Sequence, residues 1–75
     1  MKTYGVELYG RERYIVTTTS KAQAAKLIGT TVYNMTQFGS VTGNEEECRI
    51  TTDRPGVVYK RSILDSRAPW VQVSA

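Results

Sequence analysis

One stretch, Thr19 to Phe38 (TSKAQAAKLIGTTVYNMTQF), carries the helical signal of this chain, and the segments on either side of it alternate like strands or break like turns. Ser20 followed three residues later by Gln23 matches a capping box, in which the hydroxyl accepts from an orphan amide of the first turn. Ala24, Leu27 and Ile28, with Ala25 beside them, make an apolar stripe at helical spacing, while Lys21, Gln23 and Lys26 lie toward water. Gly29 suits the left-handed position that closes a helix, and Thr30 or Thr31 can cap the next one. In that second segment, Thr31 to Phe38, the pattern sets Val32, Met35 and Phe38 inward and Tyr33, Asn34 and Gln37 outward, and Gly39 closes it. Ala25, Gly29 and Met35 then fall at the offsets of a helix-turn-helix: a small residue where two helices approach, a glycine at the turn, an apolar anchor in the second helix.

The flanks read as β structure. Lys2 to Tyr9 alternates, with Tyr4, Val6 and Leu8 on one side, and Arg13 to Thr18 is rich in β-branched residues. Together they predict an antiparallel hairpin with Gly10, Arg11 and Glu12 at its tip and Arg11 and Arg13 at one exposed end. Ser40 to Asn44 is a loop by composition, and Glu45 to Glu47 read as the solvated entrance to a short strand over Cys48 to Thr52. Arg54-Pro55-Gly56-Val57 has proline and glycine where a type II turn wants them, which returns Val57 to Leu64 as the partner strand of a second hairpin. Trp70 to Val73 adds a final edge strand, the tryptophan covering one end of the core. The expected fold is therefore α+β: two antiparallel β-hairpins forming a small sheet with a short helix-turn-helix packed on it, winged-helix-like. Its expected core draws on Val6, Leu8, Val16, Ala25, Leu27, Ile28, Met35, Phe38, Ile50, Val58 and Ile63.

A chain of 75 residues supports one core, so a single domain over residues 1–75 is expected. Hydrophobic residues at 40% and charged residues at 23% suit a folded domain rather than a disordered one. With no histidine and one cysteine, the chain cannot build the usual Cys/His zinc site, a Ser-His-Asp triad or a Cys-His pair. Consecutive Glu45, Glu46 and Glu47 diverge on a strand, and Gly39 and Gly43 lack the Lys-Ser/Thr ending of a phosphate loop. Neither an enzyme nor a cofactor is expected. Cys48 has no internal partner, which fits a reducing cytoplasm and the role of a small buried apolar residue. No signal peptide or membrane-spanning run is read in the chain, so a cytoplasmic, membrane-free location is the expectation.

The net charge of +3 permits a nucleic-acid partner. In a helix-turn-helix the second helix enters the DNA major groove, which would turn Thr31, Tyr33, Asn34 and Gln37 toward base edges. Arg54 would sit at the tip of a basic wing, and Lys21, Lys26, Lys60 and Arg61 would supply phosphate contacts. The run Ala24 to Thr31, continued to Met35, resembles the DNA-binding segment of MerR-type regulators and of the related small phage excisionases. It differs in having Thr30 after the turn glycine and no positive charge from Thr31 to Phe38. The AAKLIG, TGNEEE and PGVVYKR segments together look like small bacteriophage proteins. The resemblance implies a phage-type regulator acting on double-stranded DNA in the bacterial host cell; a homodimer is compatible with it. The alternative is a phage-encoded inhibitor of a host defence protein, anti-CRISPR-like, acting by binding and occlusion without catalysis. Its anchors would be exposed aromatics among Tyr4, Tyr9, Tyr14, Tyr33, Tyr59 and Trp70.

Overall fold

The computed structural model describes residues 1–73. β1 (Lys2–Leu8) and β2 (Glu12–Thr18) form the first hairpin, followed by helices α1 (Lys21–Ile28) and α2 (Val32–Phe38), strand β3 (Gly39–Val41), helix α3 (Glu45–Thr52), and strands β4 (Tyr59–Ser62) and β5 (Val71–Gln72). The strands make one antiparallel sheet in the order β3-β1-β2-β4-β5. This is the α+β class expected from the sequence.

Alternation along β1 and β2 divides the contacts of the sheet between two faces. Tyr4 stands opposite Val16 and Val6 opposite Tyr14, and these side chains pack with Leu8, Ala24, Ala25, Met35 and Val58 under α1 and α2. Ala24 and Ala25 let α1 lie close to the sheet because they carry so little side chain. The intervening residues Thr3, Gly5, Thr17 and Arg13 belong to the other face, which α3 covers through Glu47 and Thr51. There the packing is polar. Thr17 donates to Thr51 Oγ1 at 2.8 Å, so its single proton is spent and Thr3, 2.7 Å from Thr17 Oγ1, must be the donor on that side. Thr51 passes the chain on to the Glu47 carbonyl at 2.8 Å.

An ion pair beside this chain ties β2 to α3. Arg13 donates from Nε to Glu47 Oε2 at 2.7 Å and from Nη2 to Oε1 at 3.0 Å, and Thr42 donates to the same Oε1 at 2.7 Å. Gly5 makes room for it: a Cβ there would stand 2.9 Å from Cζ of Arg13, closer than carbon atoms tolerate. Arg13, expected at an exposed hairpin end, is thus drawn across the sheet by a carboxylate 34 residues away in the chain.

The helix pair forms where the sequence placed it. Ser20 Oγ accepts from the Gln23 amide at 3.2 Å, Gly29 is left-handed at φ 91°, and Thr31, rather than Thr30, caps α2 by accepting from the Asn34 amide at 3.1 Å. Arg54 to Val57 makes the expected turn, with Gly56 at φ 85° and the Val57 amide donating to the Arg54 carbonyl at 3.2 Å.

Several expectations are corrected. Cys48 to Thr52 is not a strand but the second half of α3, because Asn44 caps the Glu47 amide at 3.0 Å and three glutamates in the first turn complement the helix dipole. Those end effects outweigh the β-propensity of Cys, Ile and Thr. The strand expected over Val57–Leu64 is Tyr59–Ser62, and it pairs with β2 and β5 instead of with residues 48–52. Consequently Arg54 is not at a hairpin tip but in the turn between α3 and β4. Of the expected core, Leu27, Phe38 and Ile63 are exposed and Ile28 and Ile50 half-buried, while Val6, Leu8, Val16, Ala25, Met35 and Val58 are buried as expected. The first hairpin also turns one residue earlier, at Tyr9-Gly10, with Glu12 already in β2. Cys48 and Trp70 are half-buried.

Candidate binding surface

α2 is a short helix, VYNMTQF, and contains no charged residue. Met35 is its buried anchor. Thr31, Tyr33 and Gln37 are exposed, and Tyr33 retains 69% of its accessible surface. Asn34 is half-buried, its Nδ2 donating to Thr30 Oγ1 at 3.0 Å, so that side chain is already engaged across the inter-helix turn. Lys21 and Lys26 are exposed on the adjoining α1.

The remaining basic residues expected at the site are dispersed. Lys60 pairs with Tyr14 in the ladder, which sets it on the sheet face that bears α1 and α2, and its Nζ lies 3.3 Å from Glu12 Oε2. Arg61, one residue on, belongs to the α3 face. Its guanidinium lies 5.6 Å from the Trp70 ring and donates to the Ser66 carbonyl at 2.9 Å, while Trp70 Nε1 donates to Glu46 Oε1 at 3.2 Å. Arg54 Nη1 is 3.5 Å from Gln72 Oε1 at the exposed end of the α3 to β4 turn. Thr31, Tyr33, Asn34 and Gln37 thus belong to α2 and its cap and Lys21 and Lys26 to the neighbouring α1, whereas Arg54 and Arg61 lie in the α3 to β4 turn and on the α3 face.

Between α2 and the tip of the β1–β2 hairpin lies a cleft of about 510 Å³ lined by Glu7, Leu8, Tyr9, Gly10, Asn34 and Phe38. Tyr9 and Gly10 are consecutive left-handed residues, φ 59° and 63°, closed by the Arg11 amide donating to the Leu8 carbonyl at 3.2 Å. That is the backbone of a type I′ turn, which usually takes Asn or Gly in its first central position. Tyr9 keeps 86% of its surface exposed and Phe38 65%. Tyr9 is one of the aromatics expected as exposed anchors, and the sequence signal for its place here is its position directly before a turn glycine. Phe38, expected inward, is the residue that sequence reasoning misses. It follows Met35 at helical spacing, but it is the last residue of a helix too short to carry its apolar stripe across the core.

The buried acid is electrostatically settled. Burial works to raise the Glu47 carboxyl, but the hydrogen bonds from Arg13 and Thr42 outweigh it and hold the group below the ordinary carboxylate range. The same bond to Glu47 raises the Arg13 guanidinium against the opposing effect of burial. Tyr14 is pushed up by burial and by Glu12, to whose Oε1 its hydroxyl donates at 3.2 Å. Arg13 and Glu47 satisfy one another and fasten α3 to β2, whereas the Tyr14–Glu12 bond lies within β2.

Among the described residues, no helix is long and apolar enough to cross a membrane. No family model, curated protein or solved structure matches this chain.

Proposed function

We propose that this protein is a non-catalytic binding module that engages a protein partner through the outer face of α2 and the adjoining hairpin tip. The observation that carries this reading is the gathering of exposed aromatic side chains, Tyr9 and Phe38 about the cleft and Tyr33 on the same helix as Phe38, around a helix without charge. Aromatic residues are the usual anchors of protein interfaces, whose cores are depleted of charge. Occlusion of a host defence protein in the bacterial cytoplasm, the inhibitor alternative, needs nothing beyond such a surface.

A DNA-binding regulator is the second reading, favoured by the helix pair itself: the Gly29 turn, the Thr31 cap, and exposed Tyr33 and Gln37 preceded by Lys21 and Lys26. It is the weaker one because Arg54 and Arg61 do not join that surface and Lys60 already faces Glu12.

Capture of the tagged protein from a nuclease-treated host lysate, beside a gel shift on host and phage DNA at low salt, separates the two. The proposal expects a stoichiometric protein that survives nuclease and is lost with Tyr33→Ala or Phe38→Ser. Loss of all co-purifying material on nuclease treatment, with a gel shift that weakens steeply with salt, would instead establish the DNA reading.

A further inference from the structure

β3 is the terminal strand of the sheet, and its outer side is open. The Thr42 amide donates to the Thr3 carbonyl at 2.9 Å, and Ser40 stands opposite Gly5 in the same register, so Thr42 and Ser40 turn their backbone groups toward β1. Val41, between them, turns its N–H and C=O away from the sheet, and among the described residues nothing bonds to either. The strand is not covered on its faces. On one face α1 packs on β2 and α2 on β1 and β3; on the other, α3 packs on β1 and β2. Ser40 and Val41 are accordingly exposed, and α2 is the helix beside the open edge.

Edge strands are ordinarily guarded against pairing with another chain by charge, proline, a bulge or very short length. β5, at the other end of the sheet, has such guards: it is two residues long, follows Pro69 by two positions, and has Arg54 beside Gln72. β3 carries neither charge nor proline, and from Leu27 to Asn44, a span that includes all of α2, the chain has no charged residue. Charge thus selects the occupant. An acidic or basic partner finds nothing here to pair with, whereas two copies of a chain of net charge +3 can meet on this strip without bringing like charges together. The edge is also self-complementary, because Val41 offers one donor and one acceptor, and a two-fold rotation sets each against its counterpart on an identical strand.

We propose that the protein forms a two-fold dimer in which β3 pairs antiparallel with β3 of a second copy, centred on Val41. The N–H and C=O of Val41 bond to the C=O and N–H of the same residue in the other copy. The two sheets become one, with α1 and α2 of both copies on the same face and the hairpin tips at opposite ends, so the surface around Tyr9 and Tyr33 is presented twice. This goes beyond the reading of that surface and does not depend on it. A three-residue edge with the flank of α2 is small beside the roughly 800 Å² per partner of a stable interface, so the dimer is one that dissociates on dilution.

Sedimentation equilibrium on the full chain, from micromolar to near-millimolar concentration, should show the mass rising from 8.4 kDa toward twice that value. Over the same range the Val41 amide should pass from rapid to protected hydrogen exchange. Val41→Lys places a charge on an exposed edge position, so it should leave the melting temperature of the dilute protein unchanged while weakening the dimer at least about tenfold. Val41→Cys in a Cys48→Ala background should form an interchain disulfide on mild oxidation, because directly paired residues bring their Cα atoms within about 5.5 Å, inside disulfide reach. A chain that stays monomeric at every concentration would overturn the proposal. So would a dimer in which the Val41 amide still exchanges rapidly, or one that Val41→Lys leaves intact, since either would place the contact elsewhere. Protection of the Val41 amide only on addition of a different protein would make that protein the occupant and overturn it as well.

Discussion

Thr17 stands at the centre of the polar layer, accepting from Thr3 and donating to Thr51, and it is buried with both of them. A hydroxyl so placed has no route to water, and Thr17→Val would strand the Thr3 proton while removing the donor that Thr51 uses. The expected cost is about 1–3 kcal/mol, read as a lower urea midpoint with an unchanged slope. Thr17→Ser keeps the hydroxyl and should recover most of the loss; equal destabilisation by both would assign the effect to the methyl group. Gly5 belongs to the same layer, since its missing side chain is what the Arg13 guanidinium lies over. The purpose of Gly5 is visible only with Arg13 in place across the hairpin.

Helix α3 shows how element ends can decide what propensity leaves open. Asn44 with Glu45, Glu46 and Glu47 is a readable helix start, a cap followed by acid in the first turn. The residues after it, Cys48, Ile50, Thr51 and Thr52, suit a strand equally well. Asn44→Ala removes the acceptor of the Glu47 amide and also loosens the carboxylate that Arg13 holds. It should cost about 1 kcal/mol, lowering the melting temperature by several degrees and raising amide exchange first within Glu45–Thr52. Exchange that rises uniformly over the sheet would contradict this local role. For α1 and α2 the sequence signals and the outcome agree because Ser20, Gly29 and Thr31 act on their own immediate backbone.

At the scale of the molecule, two helices cover one face of the sheet and α3 the other, and the second cover depends on a carboxylate. Glu47 is 5% exposed and its pKa is depressed in the folded state. A depressed carboxylate contributes stability that is fully present above its unfolded pKa, about 4.3, and is lost as pH falls through the lower folded value. The melting temperature of the wild type should thus be nearly flat from pH 7 to about 5 and fall below that, with the fall shallower in Glu47→Gln. Parallel acid profiles for the two proteins would show that the Arg13 pair is not what acid breaks.

The amino-acid order by itself determined the first hairpin, the helix pair, the Arg54 to Val57 turn and the α+β class, because each depends on alternation, caps or turn residues acting within a few positions. Tertiary structure decided the features that depend on contacts distant in the chain: that β4 joins β2 rather than a strand at Cys48, and that Arg13 turns inward to Glu47. It also decided the candidate site. Tyr9 and Phe38 belong to segments that read as ordinary strand and helix, and they become neighbours of one cleft because β3 stops short of Glu7 and α2 ends above the hairpin turn. Local energies specify a residue's own backbone; which side chains share a surface depends on where several elements end, and that is fixed only when the elements pack together.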